Sequence, residues 1–330
     1  MNKFKKPYLS FVVVGRNDNY GHRFLYRTQN FLDNVAYLCE KYKLDSELIF
    51  IEWNPPKNNK RMYEALNINK NRKYLKIRFI GVPNKLHRTL QNSDKCPIYE
   101  YLGKNVGIRR SNGDFVLITN PDILFNEELI RFFSKRKLKE SYFYRIARYD
   151  LLADIPENLT TKEKIQFCKI NYDGIGGVFF WADNPRKIIS FLKKLPRRII
   201  FNVKRILGVS LAYRRYSYVI YQGGAPGDFI LISRRGWFKF RGFPEIFSRG
   251  GLDGYGCVIA RSSGLKMKTF RQKNKIYHQS HGKPHDNLRR NFDNEKYKAE
   301  ARLMIKNKKP IIINNDYWGF AKFKFKEHSF

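Results

Sequence analysis

Acidic residues are scarce in this 330-residue chain, where 29 Asp and Glu stand against 65 Lys and Arg for a formal charge of +36. No carboxylate at all occurs between Asp183 and Asp228. Such a surface points to a polyanionic neighbour: nucleic acid, an anionic membrane or a phosphorylated substrate. Charge does not choose among these. Cysteine is also scarce. Cys39, Cys96, Cys168 and Cys257 form no CxxC pair, which excludes a zinc ribbon or a thioredoxin-type site and suits a reducing compartment. No apolar run approaches the roughly 18 residues needed to cross a bilayer. The run Leu9–Val14 follows Lys3, Lys5 and Lys6, but it is too short for the core of a secretion signal. Arg16, Asn17 and Asp18 follow it in place of a cleavage site. It reads as a buried strand, and the protein as soluble or peripheral. GxGxxG, the Walker loop and HExxH are missing, which argues against a Rossmann dehydrogenase, a P-loop NTPase and a zinc protease. There is no internal repeat or low-complexity tract.

Hydrophobic residues are plentiful, at 42% with 16% aromatic, enough to bury a substantial core. The first third alternates short β-rich runs with amphipathic stretches, the pattern of βαβ units around a largely parallel sheet. Strands are expected at Leu9–Val14, Glu47–Glu52, Leu75–Ile80 and Asp114–Thr119. A crossover helix is expected over Phe24–Leu38 and a second from Tyr99 to about Arg110. Three strands end in polar clusters: Arg16-Asn17-Asp18, Glu52-Trp53-Asn54 and Asn120-Pro121-Asp122. Open α/β sheets bind ligands beyond the carboxyl ends of their strands, so these clusters should converge on one cleft. Residues 186–207 read as a basic amphipathic helix, with Ile188, Leu192, Leu195 and Ile199 on one face and Lys and Arg on the other. The last third opens with Gly223-Gly224-Ala225-Pro226-Gly227, continues with a strand at Phe229–Ser233, and ends in a charged tail expected to wrap the surface.

Several residues could carry chemistry, and each has a plainer reading. Asp122, on a turn after a core strand, could hold Mg²⁺ or Mn²⁺ against a diphosphate, or it could cap a helix beginning near Asn126. Asp18 and Glu52 could hydrogen-bond the base and ribose of a nucleotide, or be solvated loop carboxylates. Asp253, in Gly-Gly-Leu-Asp-Gly-Tyr-Gly, reads as a residue on a flexible loop. There it is either a general base or part of an Asx-turn. His278, His281 and His285 put three of six histidines inside eight residues, a weak metal signal without a carboxylate from elsewhere.

In order, these residues resemble a glycosyltransferase of the GT-A fold, closest to family 2-like bacterial enzymes. The likeness runs through Leu9–Asp18, Leu48–Glu52, Asn105-Val106-Gly107-Ile108-Arg109-Arg110, Gly113-Asp114-Phe115-Val116-Leu117 and Asn120-Pro121-Asp122. The last matches the DXD region, with Asn120 in place of its first aspartate. Gly242-Phe243-Pro244-Glu245 through Gly250-Gly251-Leu252-Asp253 is similar to the GFP…GGED element of family 7 galactosyltransferases, with Leu252 at the glutamate position. The resemblance implies a Rossmann-like, mostly parallel sheet flanked by helices, with a nucleotide-sugar-binding half at 1–130 and an acceptor and catalytic half at 223–290. A basic insertion at 131–222 and a tail at 291–330 complete it. It implies metal binding by Asp122 and His278, with His281 as competitor, and donor contacts from Asp18, Glu52, Asn105, Arg109, Asn120 and Asp122. Acceptor contacts would come from Asp228, Glu245 and Gly251, with Asp253 as catalytic base. A solvated helix arginine is the plainer reading of Arg109.

The implied reaction is inverting transfer of a sugar from a nucleotide-diphosphate donor to a glycan or lipid-linked glycan hydroxyl, with Mn²⁺ or Mg²⁺, in cell-surface polysaccharide synthesis. The expected location is the cytoplasmic face of the membrane, with the 186–207 helix on anionic lipid or simply packed on the core. Two rivals stand beside this. A nucleic-acid-binding protein would suit the charge and aromatics, but no RRM, KH or helix-turn-helix pattern is present and no specific nucleic acid is expected. A glycan-binding pseudoenzyme would suit Asn120 and Leu252.

Overall fold

The computed structural model describes residues 5–146, 148–172, 226–246, 252–270, 273–279, 281 and 294–330. The basic helix expected at 186–207, the glycines 223–224 and 250–251, and His285 lie outside the described residues.

The four expected strands form, as β1 (Leu9–Gly15), β2 (Ser46–Trp53), β3 (Leu75–Val82) and β4 (Phe115–Ile118). They pair in parallel in the order β3-β2-β1-β4. Successive side chains of a strand face opposite ways. Phe11 and Val13 therefore enter one apolar cluster with Leu48, Phe50, Ile77 and Phe79. Val12 and Val14 enter a second with Ile49, Ile51, Ile80 and Val82. Helix α1 (Phe24–Lys41) covers the first face through Phe31, Leu32, Val35 and Leu38. After the short helices α2 (Met62–Ala65) and α3 (Asn84–Arg88), α4 (Glu100–Arg109) covers the second through Leu102 and Val106. Burial on both faces is why these strands are rich in consecutive apolar residues, such as Phe11–Val14 and Leu48–Ile51.

Beyond β4 the chain changes direction. A turn at Asn120-Pro121-Asp122 leads into β5 (Ile123–Phe125) and α5 (Glu127–Ser134). Then come β6 (Tyr142–Arg145), β7 (Arg148–Asp150) and α6 (Thr161–Ile170). A 3-10 turn at Pro226–Asp228 precedes β8 (Ile230–Ser233), α7 (Arg234–Lys239), α8 (Leu252–Ser262), β9 (Lys266–Thr269) and β10 (Ile276–His278). The chain closes with α9 (Asn294–Asn307) and β11 (Lys326–Ser329). The central sheet has eight strands in the order β11-β3-β2-β1-β4-β8-β6-β9, with β8 antiparallel to β4 and β6. This is the mixed α/β architecture with a mostly parallel central sheet flanked by helices. Strand β6, inside the segment 131–222, belongs to that central sheet.

A second sheet, β5-β10-β7, stands at the carboxyl end of β4. Its register sets Ile123 beside His278 on one flank of β10 and Asp150 beside His278 on the other. The tail also has a definite place. Strand β11 closes the edge of the central sheet against β3, where Arg78 bridges the buried Glu47 (2.9 Å) and Glu327 (2.7 and 3.0 Å).

Candidate metal and catalytic site

Asp122 is the centre of the site. Its backbone is fixed by the 3.2 Å hydrogen bond that closes the Asn120–Ile123 turn and by the Gln279 amide, which donates to its carbonyl at 3.1 Å. The helix-cap reading fails, because Asn126 caps α5 by accepting from the Leu129 amide at 3.1 Å. Asp122 is free for another task and only 7% exposed.

One carboxylate oxygen, Oδ2, faces Arg27 NH1 at 3.0 Å, His281 Nε2 at 3.3 Å and His278 Nε2 at 3.6 Å. The other, Oδ1, is buried with no hydrogen-bond partner among the described residues. Burial alone would push the Asp122 carboxyl upward, but hydrogen bonds from His278 and His281 and the charge of Arg27 hold it well below the usual carboxylate range. His278 Nδ1 is tied to Asp150 Oδ1 at 3.1 Å. Burial pulls this imidazole down, yet its hydrogen bonds to Asp122 and Asp150 raise it to about 9.

Ligand atoms of Asp122, His278 and His281 lie within 4.8 Å of one another, and two imidazoles with one carboxylate form a plausible divalent-metal set. The orphaned Oδ1 supports the fit, since a buried anionic oxygen without a donor is costly unless a cation satisfies it. So does the Asp150–His278 contact. A carboxylate on the far nitrogen of a ligating histidine fixes the ring and leaves Nε2 for the ion. Two nitrogen donors suit Mn²⁺ better than Mg²⁺, which prefers oxygen.

A second layer of charge leads away from this group. Asp228, 4% exposed, accepts from Asn120 Nδ2 at 2.7 Å and from Arg148 NH1 at 2.8 Å. Burial raises its carboxyl, against the lowering charge of Arg148. The fully buried Lys104 donates to Asn120 Oδ1 and to the Gly227 carbonyl, each at 3.1 Å, and also pairs with Glu100. A Cβ on Gly227 would stand 3.5 Å from Asp253 Oδ2 and 3.4 Å from the Tyr101 hydroxyl. The Asp253 carboxylate therefore lies in van der Waals reach of the turn holding Asp228.

Of the residues singled out from sequence, the structure joins Asp122, His278, His281, Asn120 and Asp228, with Asp253 beside Gly227. Others sit elsewhere. Asp253 is in the first turn of α8, not on a flexible loop. Gly256 serves packing, for a Cβ there would meet the Phe243 ring at 2.8 Å. Glu52 is neither a solvated carboxylate nor open to a nucleotide: it is 1% exposed, pairs with Arg61 Nε at 2.6 Å and accepts from the Met62 amide at 2.9 Å. Asn105 is fully buried and clamps the Gly242–Glu245 turn. It donates to the Phe243 carbonyl (2.8 Å) and Glu245 Oε1 (3.1 Å) and accepts from the Phe243 amide (2.8 Å). Glu245 Oε1 also takes the Gly319 amide at 2.7 Å, so Asn105 and Glu245 hold each other, not donor or acceptor. Arg109 lies over Trp318, 5.0 Å from its ring centre. That is the opposite end of α4 from the Asn120 contact, more than one helical turn beyond Lys104. Asp18 pairs with Arg16 at 3.1 Å and accepts from the Tyr20 amide at 3.2 Å. Gly251 lies outside the described residues.

Sequence reasoning missed Arg27, Lys104, Arg148 and Asp150. For Arg27 a signal existed, a charged residue on the apolar stripe of α1 four positions before Phe31. Lys104 likewise neighbours the buried Asn105. Arg148 and Asp150 gave none, because their partners are 80 and 128 residues distant.

No protein-family model matches the chain, and no curated protein matches it. Among solved structures it is similar to S. aureus TarS, at 14% identity over 82% of this chain and 36% of that chain, with a TM-score of 0.43. It is also similar to S. aureus TarS 1-349, at 13% identity over 91% of this chain and 71% of that chain, with a TM-score of 0.45. The chain thus spans about a third of the longer TarS chain. Overlaps this loose assign no residue roles.

Proposed function

We propose that the protein is a metal-dependent glycosyltransferase, moving a sugar from a nucleotide-diphosphate donor to a hydroxyl of a glycan or lipid-linked glycan. The observation that supports this most is the buried Asp122 carboxylate, whose Oδ2 faces two imidazoles while its Oδ1 has no hydrogen-bond partner among the described residues, beyond the carboxyl ends of parallel strands. Asp122, His278 and His281 would hold a divalent ion, which supplies Lewis-acid neutralisation of the charge developing on the leaving diphosphate. Asp150 orients His278 through Nδ1, and Gln279 fixes the Asp122 backbone. Arg148 and Asn120 hold the Asp228 carboxylate, while Lys104 fixes Asn120 relative to the Gly227 carbonyl, so these groups need no rearrangement during the reaction.

Asp253 takes the acceptor proton as the acceptor oxygen bonds to the anomeric carbon and the bond from that carbon to the diphosphate oxygen breaks. A single base with no covalent intermediate gives inversion. The polysaccharide role and a cytoplasmic, membrane-facing location belong to the same proposal.

The test is thermal denaturation with UDP, GDP, CDP or dTDP, each with and without Mn²⁺. A ligand at about 100 times its dissociation constant stabilises by roughly 2.7 kcal/mol. The reading predicts that one nucleotide stabilises the protein, and only with metal. If none does while short RNA or DNA does, the transferase reading is wrong and the basic surface is the functional feature.

A further inference from the structure

Among the described residues seven large hydrophobic side chains are exposed, and five of them fall between positions 303 and 323: Leu303, Ile312, Ile313, Tyr317 and Phe323, at 39–55%. This stretch is firmly seated. Met304 and Trp318 are buried beneath it. Asn314 donates to the carbonyls of Arg241 (2.7 Å) and Phe243 (2.6 Å). Arg110 holds the carbonyls of Gly319, Phe320 and Phe323 at 2.7–2.9 Å. The apolar side chains are therefore presented to solvent by a fixed backbone.

Cations are interleaved with them. Lys306, Lys308, Lys309, Lys322 and Lys324 are all exposed, and the Lys322 ammonium sits 3.9 Å from the Tyr317 ring centre. The only acid between 301 and 326, Asp316, is paired with Arg241 at 2.8 Å. Lysine is depleted in protein–protein interfaces, which argues against a protein partner. Tyr317 and Phe323 could stack a base, but the exposed aliphatic Leu303, Ile312 and Ile313 offer nucleic acid no such platform. Exposed Ile, Leu, Tyr and Phe among lysines with almost no acid is the chemistry of a surface lying in an anionic lipid headgroup region, with apolar groups inserted and ammoniums at the phosphates.

We propose that residues 302–324 are a peripheral docking surface for an anionic bilayer. It is a different stretch of sequence from 186–207, and the inference is independent of the transferase reading. Each lysine near such a surface is worth about fivefold in partitioning.

The test is co-sedimentation of the full chain with vesicles of phosphatidylcholine alone or with 30 mol% (roughly one anionic lipid in three) phosphatidylglycerol. Three proteins are compared: the natural sequence, Ile312→Ser/Ile313→Ser, and Lys306→Gln/Lys308→Gln/Lys309→Gln. All five substituted side chains are exposed, and circular dichroism checks that each variant folds. The natural protein should bind the anionic vesicles and not the neutral ones. The lysine variant should lose about 100-fold, and the isoleucine variant at least about tenfold, from the lost burial of apolar groups. The proposal is overturned if anionic vesicles are not bound, or if the isoleucine variant partitions like the natural protein. It is equally overturned if light scattering shows that these isoleucines hold two copies together.

Discussion

Replacing Asp122 with asparagine changes almost no volume and removes one charge, which makes it the sharpest probe of the site. The Arg27 guanidinium opposite, with its side chain 4% exposed, would then keep the carbonyls of His22 and Tyr20 but lose its one carboxylate partner among the described residues. Leaving one half of a buried ion pair uncompensated costs 3–5 kcal/mol. The asparagine oxygen can still accept from Arg27, so we expect the low end, about 3 kcal/mol. For a chain of this size that lowers Tm by about 5 °C. The double variant Arg27→Met/Asp122→Asn should lose less than the sum of the two single variants, with a coupling of at least about 1 kcal/mol. Thermal melts of the four proteins without metal give this coupling. The same melts with Mn²⁺ and the stabilising nucleotide show whether the metal-dependent shift disappears with Asp122→Asn. A variant that melts with the natural protein and shows no coupling would refute the buried-pair argument. One that keeps the metal-dependent shift would refute Asp122 as a ligand.

Asp253→Asn should leave the nucleotide-induced thermal shift intact and cut the transfer rate by about 10²- to 10⁴-fold, the usual worth of a general base; a variant with normal turnover would remove Asp253 from the reaction. Gly256→Ala should destabilise α8 by about 1–2 kcal/mol, because crowding of the Phe243 ring outweighs the roughly 1 kcal/mol that alanine gains in a helix. A rise in Tm would show that the ring has room to move. Hydrogen bonds from Arg78 hold the Glu327 carboxyl below its usual 4.5. Their stabilisation is therefore complete above that pH and fades as pH falls through the lower folded-state value. With Glu327 a third exposed this is about 1 kcal/mol, read as roughly fivefold lower exchange protection of the Ile77 and Phe330 amides in acid, with Phe11 as the control. Unchanged protection at that edge would refute it.

The sequence revealed the sheet because β1 to β4 are buried on both faces, leaving apolar runs with polar residues at their ends. It singled out all three side chains of the candidate metal cluster, Asp122, His278 and His281, for a related reason. Asp122 stands where a core strand ends, and the two histidines are close in sequence. Arg109 and Asn105 were misread because an amphipathic pattern says which residues face the sheet but not which end of the helix is near the cleft. The residue of α4 that reaches the site is Lys104, held by Gly227, 123 positions away, and by Asn120. The loop expected around Asp253 is a helix, because glycines look alike in a loop and in a helix that a phenyl ring crowds. Asp150 and Arg148 depend on strand pairing within the second sheet, a long-range fact with no local trace.

If the cluster holds a cation as proposed, the charge of the chain explains its several carboxylates. A protein at +36 repels a free divalent cation and attracts a diphosphate over its whole surface. Local attraction for a cation must come from acids brought in from three segments, Asp122, Asp150 and Asp228. Two of these are also bound to Arg148, and Asp122 is bound to Arg27. The guanidiniums keep the acids from repelling one another in the metal-free protein, and they temper the attraction for a bare ion. Under the proposed function, a metal ion already carrying a nucleoside diphosphate is then the better-matched species, with its anionic end drawn by the basic surface and its cation by these acids.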